Sequence, residues 1–278
     1  MSSKRRLDEL LVARGLSENR DRAAAQIMAG LVFVDGERVD KAGTPVAEKA
    51  SLEVRTQGGR YASRGGLKLE KALDVFALTL QDAVCIDMGA STGGFTDCML
   101  QHGARRVYAI DVGYGQLAYE LRRDPRVTVL ERTNIRTMDT ARIPEAADFI
   151  SIDVSFISLA LILPKAAALL QPQGKIAALV KPQFEARREQ VGSGGIVRDP
   201  AVHREVLART VAAAAEQGLQ AAALTYSPVT GARGNIEYLL LLQRQDAGFD
   251  PVEAVPAVTA AAMRQLGTGE DADSPGAG

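Results

Sequence analysis

Two cysteines and two histidines among 278 residues give no metal-ligand cluster. Cys85 and Cys98 stand in apolar stretches and read as buried positions on a strand and a helix. Charge of one sign is lacking too: 33 basic residues face 34 acidic ones, for a net −1. A nucleic-acid partner must therefore be held by a local patch, because the chain as a whole has no basic field. Long hydrophobic runs are missing. The most apolar stretch, Ile157 to Leu170, is interrupted by Pro164 and Lys165 and is too short to span a bilayer. No secretory signal peptide is recognisable, so a cytoplasmic place is expected. Neither the phosphate loop G-x-x-x-x-G-K-[ST] nor the dinucleotide spacing G-x-G-x-x-G fits the chain's glycine-rich turn.

What stands there instead is VCIDMGASTGGFTDCML, residues 84–100. An apolar run, Val84 to Met88, is followed by Gly89, Gly93 and Gly94, then by Phe95, Cys98 and Met99 at helical spacing. Strand, glycine turn and helix open a nucleotide-type α/β domain, in which backbone and helix N-terminus approach a ligand closely. Asp87 precedes the first glycine, where a carboxylate repels pyrophosphate and attracts an ammonium. Asp111 ends the next apolar run, 22 residues after Gly89, at the place of a ribose-binding acid. An amino-acid head, a ribose and no phosphate describe S-adenosylmethionine, with another nucleoside as the alternative. Asp87, Gly89, Ser91, Gly93, Gly94, Phe95 and Asp111 are the expected donor-binding residues. Asn134, following the third strand, is a candidate for the adenine edge.

Residues 1–59 differ in texture. Leu7, Leu10 and Leu11 predict a helix stopped by Gly15, and Asn19 predicts the cap of a second helix ending at Gly30. An alternating strand pair turns at Asp35-Gly36. Lys4, Arg5, Arg6, Arg14, Arg20 and Arg22 lie at helix starts and ends, against Asp8, Glu9, Glu18 and Asp21. Mixed charge on a solvated surface explains this as well as an RNA groove does. The pattern from Arg6 to Gly36 resembles the S-four RNA-binding domain. That resemblance implies that the Arg20/Arg22 helix and its neighbours grip structured RNA through its phosphates; Arg64, beyond the joint, is a further candidate RNA-binding residue.

Gln57-Gly58-Gly59-Arg60 predicts the domain joint. Leu69, Ala72, Leu73 and Phe76 then form a helical stripe from which Lys68 and Lys71 project. Strands are expected at 127–130, 149–153, 175–181, 219–226 and 236–242, with helices at 158–170 and 200–217. The second of these helices starts on Asp199-Pro200. Alternating strands and helices predict a mostly parallel, doubly wound sheet whose ligands bind at the carboxyl ends of the strands. Asp87, Asp111, Asp153 and Lys181 each end a strand there. Glu237 reaches the same edge if the last strand is antiparallel.

SRGGLKL (63–69), DMGASTGGFTDCML (87–100), DVGYGQL (111–117), DVSFISL (153–159), KPQFE (181–185), GGIVRD (194–199) and GNIEYL (234–239) resemble, in order, the TlyA (hemolysin A) family of RNA 2′-O-methyltransferases. The resemblance implies a Rossmann-like methyltransferase fold of seven strands at 60–246, behind the RNA-binding domain at 1–59. It implies S-adenosylmethionine as donor and ribosomal RNA in ribosomal subunits as partner, with a cytidine ribose methylated. Its Lys-Asp-Lys-Glu tetrad falls on Lys68, Asp153, Lys181 and Glu237, with Lys181 assigned as base and Lys68 as the cation steering the hydroxyl or its phosphate. A monomer is expected, and residues 247–278 read as a disordered tail. The competing readings are a non-catalytic ribosome-assembly protein, a pseudouridine-type RNA modifier and a membrane-lytic hemolysin.

Overall fold

The computed structural model describes residues 4–17, 19–28, 30–54 and 60–266. The chain divides into two compact units, Met1–Gly59 and Arg60–Gly278. The joint expected at residues 57–59 and Glu18 lie outside the described residues.

In the first unit, strand β1 (Lys4–Arg6) runs into helix α1 (Leu7–Ala13), and helix α2 (Arg20–Met28) follows. The side chain of Asn19 accepts the Arg22 N–H at 2.8 Å, capping α2. Strands β2 (Val32–Val34) and β3 (Glu37–Arg38) form a hairpin whose turn residues, Asp35 and Gly36, have φ of 51° and 88°. Two successive positive φ values match the twist of a two-residue hairpin. Strand β4 (Pro45–Ala47) pairs antiparallel with β1, and β5 (Leu52–Val54) with β2. Leu7, Leu10, Leu11, Ala23, Ile27 and Val32 close a small core among these pieces.

The second unit starts with α3 (Gly65–Val75), β6 (Val84–Met88), α4 (Gly94–Gln101), β7 (Arg106–Ile110), α5 (Tyr119–Arg123) and β8 (Val127–Leu130). It continues with β9 (Ala147–Ile152), α6 (Leu163–Leu169), β10 (Leu170–Val180), α7 (Pro182–Glu185), α8 (Pro200–Ala215), β11 (Gln220–Tyr226), β12 (Tyr238–Gln243) and α9 (Pro251–Leu266). Seven strands form one sheet in the order β11-β12-β10-β9-β6-β7-β8. The five from β8 to β10 are parallel, and β12 is antiparallel to both its neighbours. Side chains alternate across it. Ile86, Met88, Ile150 and Ile152 pack on one face with Val206 and Leu207 of α8. Cys85, Val107 and Phe149 pack on the other with Leu69, Leu73, Cys98 and Met99 of α3 and α4. Among the described residues no helix is long and apolar enough to cross a membrane.

The expected disordered tail needs correction. Residues 251–266 form α9, with Val255, Thr259 and Ala262 buried. Asp250 caps it by accepting the Val252 N–H at 2.8 Å, as Asp199 caps α8 through the Ala201 N–H at 2.8 Å. Ala- and Pro-rich composition disguised the helix: Val255, Thr259 and Ala262 are weak as an apolar stripe yet small enough for close packing on α8 and β11. Residues 267–278 lie outside the described residues.

Candidate active site

The chain leaves β6 for β7 and β8 on one side of it, and later returns as β9 and β10 on the other. The carboxyl ends of β6 and β9 are therefore the topological switch point, where a crevice opens. Gly89 follows β6 and Asp153 follows β9, and the Asp153 N–H donates to the Met88 carbonyl at 2.9 Å. A Cβ on Gly89 would lie 2.3 Å from the Asp153 carbonyl oxygen, and its φ is +95°, so only glycine fits. A Cβ on Gly94 would lie 2.9 Å from the Gly66 nitrogen, which shows how closely the starts of α3 and α4 approach. Gly93 caps α4 with φ 96°. Above these turns lies a cavity of about 280 Å³, lined by Ser63, Arg64, Gly65, Lys68, Gly89–Thr92, Gly94, Phe95, Asp153 and Val229–Gly231.

The four tetrad side chains form two ion pairs, each with one member, Lys68 or Asp153, lining this cavity. Lys68 Nζ of α3 donates to Glu237 Oε2 at 2.5 Å. Lys181 Nζ lies 2.6 Å from Asp153 Oδ1 and donates to Ser155 Oγ at 3.0 Å. Asp153 Oδ1 lies within charge contact of Lys181 but outside hydrogen-bond alignment. Val180 pairs with Tyr238 across β10 and β12, so the next step of that antiparallel ladder brings Lys181 and Glu237 to one edge. Glu237 is 2 % exposed and Lys181 8 %. Charges that deep are stable only when paired. Gln183 Nε2 also donates to Glu237, at 3.4 Å, and Gly231 leaves the space its carboxylate occupies. Lys71, one turn after Lys68, lies 3.5 Å over the Tyr226 ring, and burial lowers its pKa.

The donor-side residues divide. Ser91, Gly89, Gly94 and Phe95 line the cavity. Asp111 is not among the lining residues but holds two loops, one of them at the cavity: its oxygens accept the Ser91 N–H at 2.8 Å and the Gly113 N–H at 2.7 Å. Asp87 does not face the cavity. Strand alternation turns it under α4, where it is wholly buried and accepts from Thr96 Oγ1 at 2.7 Å and Ser151 Oγ at 3.0 Å. Burial pushes its pKa up to about 7, with the nearby Asp153 charge adding to the rise. Asp87 thus braces the glycine turn from beneath. Asn134 is exposed and folds its oxygen back onto the Arg136 N–H at 3.0 Å.

Among the expected RNA-facing bases, Lys4, Arg5, Arg6 and Arg20 are exposed, while Arg22 is half-buried. Arg14 instead serves its own unit, donating to the carbonyls of Glu48 and, at 2.7 Å, of Ala50. Arg64 lines the cavity of the second unit. Sequence reasoning passed over Ser155, two residues beyond Asp153, and Phe156, which is 89 % exposed at φ 63° with its ring 4.7 Å from Phe184. An aromatic residue three positions after the charge that follows a strand was the available signal.

Residues 61–244 match the FtsJ-like methyltransferase family, and residues 5–51 match the S4 domain. Over 253 residues the chain is 52 % identical to the "Putative rRNA methyltransferase YqxC" of Bacillus subtilis, covering 91 % of this chain and 90 % of that one. It is 44 % identical over 246 residues to the 16S/23S rRNA (cytidine-2′-O)-methyltransferase TlyA of Mycobacterium tuberculosis, covering 88 % and 92 %. A solved structure, "Putative hemolysin from Streptococcus thermophilus", superposes with a TM-score of 0.75 at 46 % identity, covering 97 % and 99 % of the two chains.

Proposed function

The chain belongs to the FtsJ-like methyltransferase family, and on that premise we propose that it transfers a methyl group from S-adenosylmethionine to a ribose 2′-oxygen of ribosomal RNA. One observation carries the reading: Lys68, Asp153, Lys181 and Glu237 converge as two ion pairs at the switch point, beside the glycine turn. The S4 match over residues 5–51 supports an RNA partner, and relatives named for cytidine 2′-O-methylation of 16S and 23S RNA support the ribosomal substrate. A cytoplasmic place and action as a monomer go with this reading.

The residues present suit the donor. Gly89 to Thr92 and Gly94 offer backbone at close range, and Asp111 stands on the loop where a ribose diol belongs. Ser63, Arg64 and Gly65, at the start of α3, face the other wall, where a carboxylate is favoured. When bound, S-adenosylmethionine supplies a methyl already activated by its sulfonium. What remains for the chain is to hold the hydroxyl in line and take its proton.

Lys181 takes that proton in this account. Shedding its own proton first costs an ordinary lysine about 4.6 kcal/mol at pH 7. Asp153 and Ser155 fix the Lys181 amine in place. Lys68, oriented by Glu237 and lining the cavity, steers the hydroxyl or the adjacent phosphate. Phe156, exposed beside this centre, suits a nucleobase stacked at the rim. Mapping ribose methylation in ribosomal RNA from cells with and without the protein tests the proposal. A cytidine 2′-O-methyl that disappears with the protein supports it, and an unchanged map refutes it.

A further inference from the structure

Asp8 is an acid set between Arg6 and Arg20, with its side chain only 5 % exposed. Its Oδ1 accepts from Arg6 Nε at 3.1 Å and from the Glu9 N–H at 2.9 Å. Its Oδ2 accepts from Arg6 Nη2 at 2.8 Å and from Arg20 Nη2 at 3.3 Å. One carboxylate therefore holds two guanidinium groups, one from the strand before α1 and one from the first turn of α2. Glu9 backs the arrangement, 3.3 Å from Arg20 Nη1 and 3.8 Å from Arg5 Nε. Arg6 lies over Gly43, where a Cβ would come within 3.0 Å of its Nη1. The two arginine side chains stay 49 % and 56 % exposed, so they are held on one side and open to solvent on the other. The Arg6 hydrogen bonds keep the Asp8 carboxyl at about 2, so it is charged throughout the working range.

We propose that Asp8 is a positioning residue for RNA binding, setting Arg6 and Arg20 side by side as one fork for a backbone phosphate of structured RNA. The inference rests on the reading that this unit binds ribosomal RNA. Two guanidinium groups repel each other, and each has long-chain rotamer freedom to lose on binding; a shared buried carboxylate offsets the first cost and settles the second before RNA arrives. Each guanidinium carries five N–H groups, so donors remain for phosphate after Asp8 has taken its share.

Charge alone predicts the opposite result, and the test uses that conflict. The probe is a folded transcript of 23S ribosomal RNA, bound by the full-length chain in a salt titration. Asp8→Asn removes one negative charge from the face. Binding is expected to weaken about tenfold, and the slope of log K against log salt to become shallower by about one. In an Arg6→Lys/Arg20→Lys background, which keeps the charges but not the forks, Asp8→Asn should change binding no further. Binding by Asp8→Asn that equals or exceeds the wild type overturns the inference. So does an equal loss in both backgrounds, which is the mark of a residue that merely supports the fold. Arg6→Ala/Arg20→Ala separates the premise: if that variant binds as tightly as wild type, this face is not where RNA sits.

Discussion

Lys68 on α3 and Glu237 at the head of β12 meet at 2.5 Å although 169 positions separate them in the chain. Lys68 is the charged partner that offsets the burial of Glu237, which is 2 % exposed and cannot recover its water. The pair ties the first helix of the catalytic unit to its last strand, across the cavity that Lys68 lines.

Removing one partner should therefore cost stability as well as activity. Lys68→Met or Glu237→Gln alone leaves a buried group without its mate and is expected to destabilise by about 3–5 kcal/mol. For a unit of this size that is roughly 10 °C in Tm. The double variant should regain most of the Tm, seen by calorimetry, and none of the methyl transfer. Recovery of activity in the double variant would show the pair to be structural.

Gly89→Ala should weaken donor binding and leave the first unit correctly folded. The added methyl would sit 2.3 Å from the Asp153 carbonyl, at a φ of +95° that alanine avoids. Titration calorimetry with S-adenosylmethionine checks this, with an expected loss of at least tenfold in affinity, or about 1.4 kcal/mol.

Asp87 gives stability an unusual pH dependence. Its carboxyl ionises near 3.8 when unfolded and at about 7 when folded, chiefly because it is buried. Between those values the folded chain holds one more proton than the unfolded chain, so this group's contribution falls as pH rises and is lowest above about 7. Asp8 runs the other way: its depressed pKa of about 2 adds stability above 3.8 that is lost as pH falls towards 2. The expected result is that wild-type Tm drops by several degrees relative to Asp87→Asn between pH 5 and pH 8. Parallel Tm curves for the two proteins would contradict it.

Ala262→Asp places a carboxylate in a wholly buried position of α9. An unpaired charge there should destabilise the catalytic unit by several kcal/mol. Urea denaturation reads the effect, and a loss below about 0.5 kcal/mol would mean that α9 does not dock in solution.

Much of this was legible in the chain, and the failures have physical reasons. Strand ends were marked by charge against apolar runs, so Asp111, Asp153 and Lys181 could be placed on one sheet edge before any coordinates. Glu237 needed an antiparallel last strand, and the pairing of Val180 with Tyr238 supplies it. The face Asp87 takes was not legible, because an apolar run marks which residue ends a strand and not which side it turns to; alternation with Cys85 sends it under α4. Arg14 is exposed as expected, but nothing local reveals that carbonyls 34 and 36 positions away also engage it. α9 was hidden by its composition, for small residues pack closely without raising hydropathy. Lys4–Arg6 reads as the start of a helix, but pairing with Pro45–Ala47 makes it a strand.

The most direct test of the central claim is methyl transfer by Lys181→Ala, measured with labelled S-adenosylmethionine and ribosomal subunits alongside donor binding by calorimetry. The account predicts that donor affinity stays within about threefold while transfer falls by a factor of about 10² to 10⁴. Transfer at the wild-type rate would contradict it, and would remove from the chemistry the amine that Asp153 and Ser155 hold at the cavity's edge.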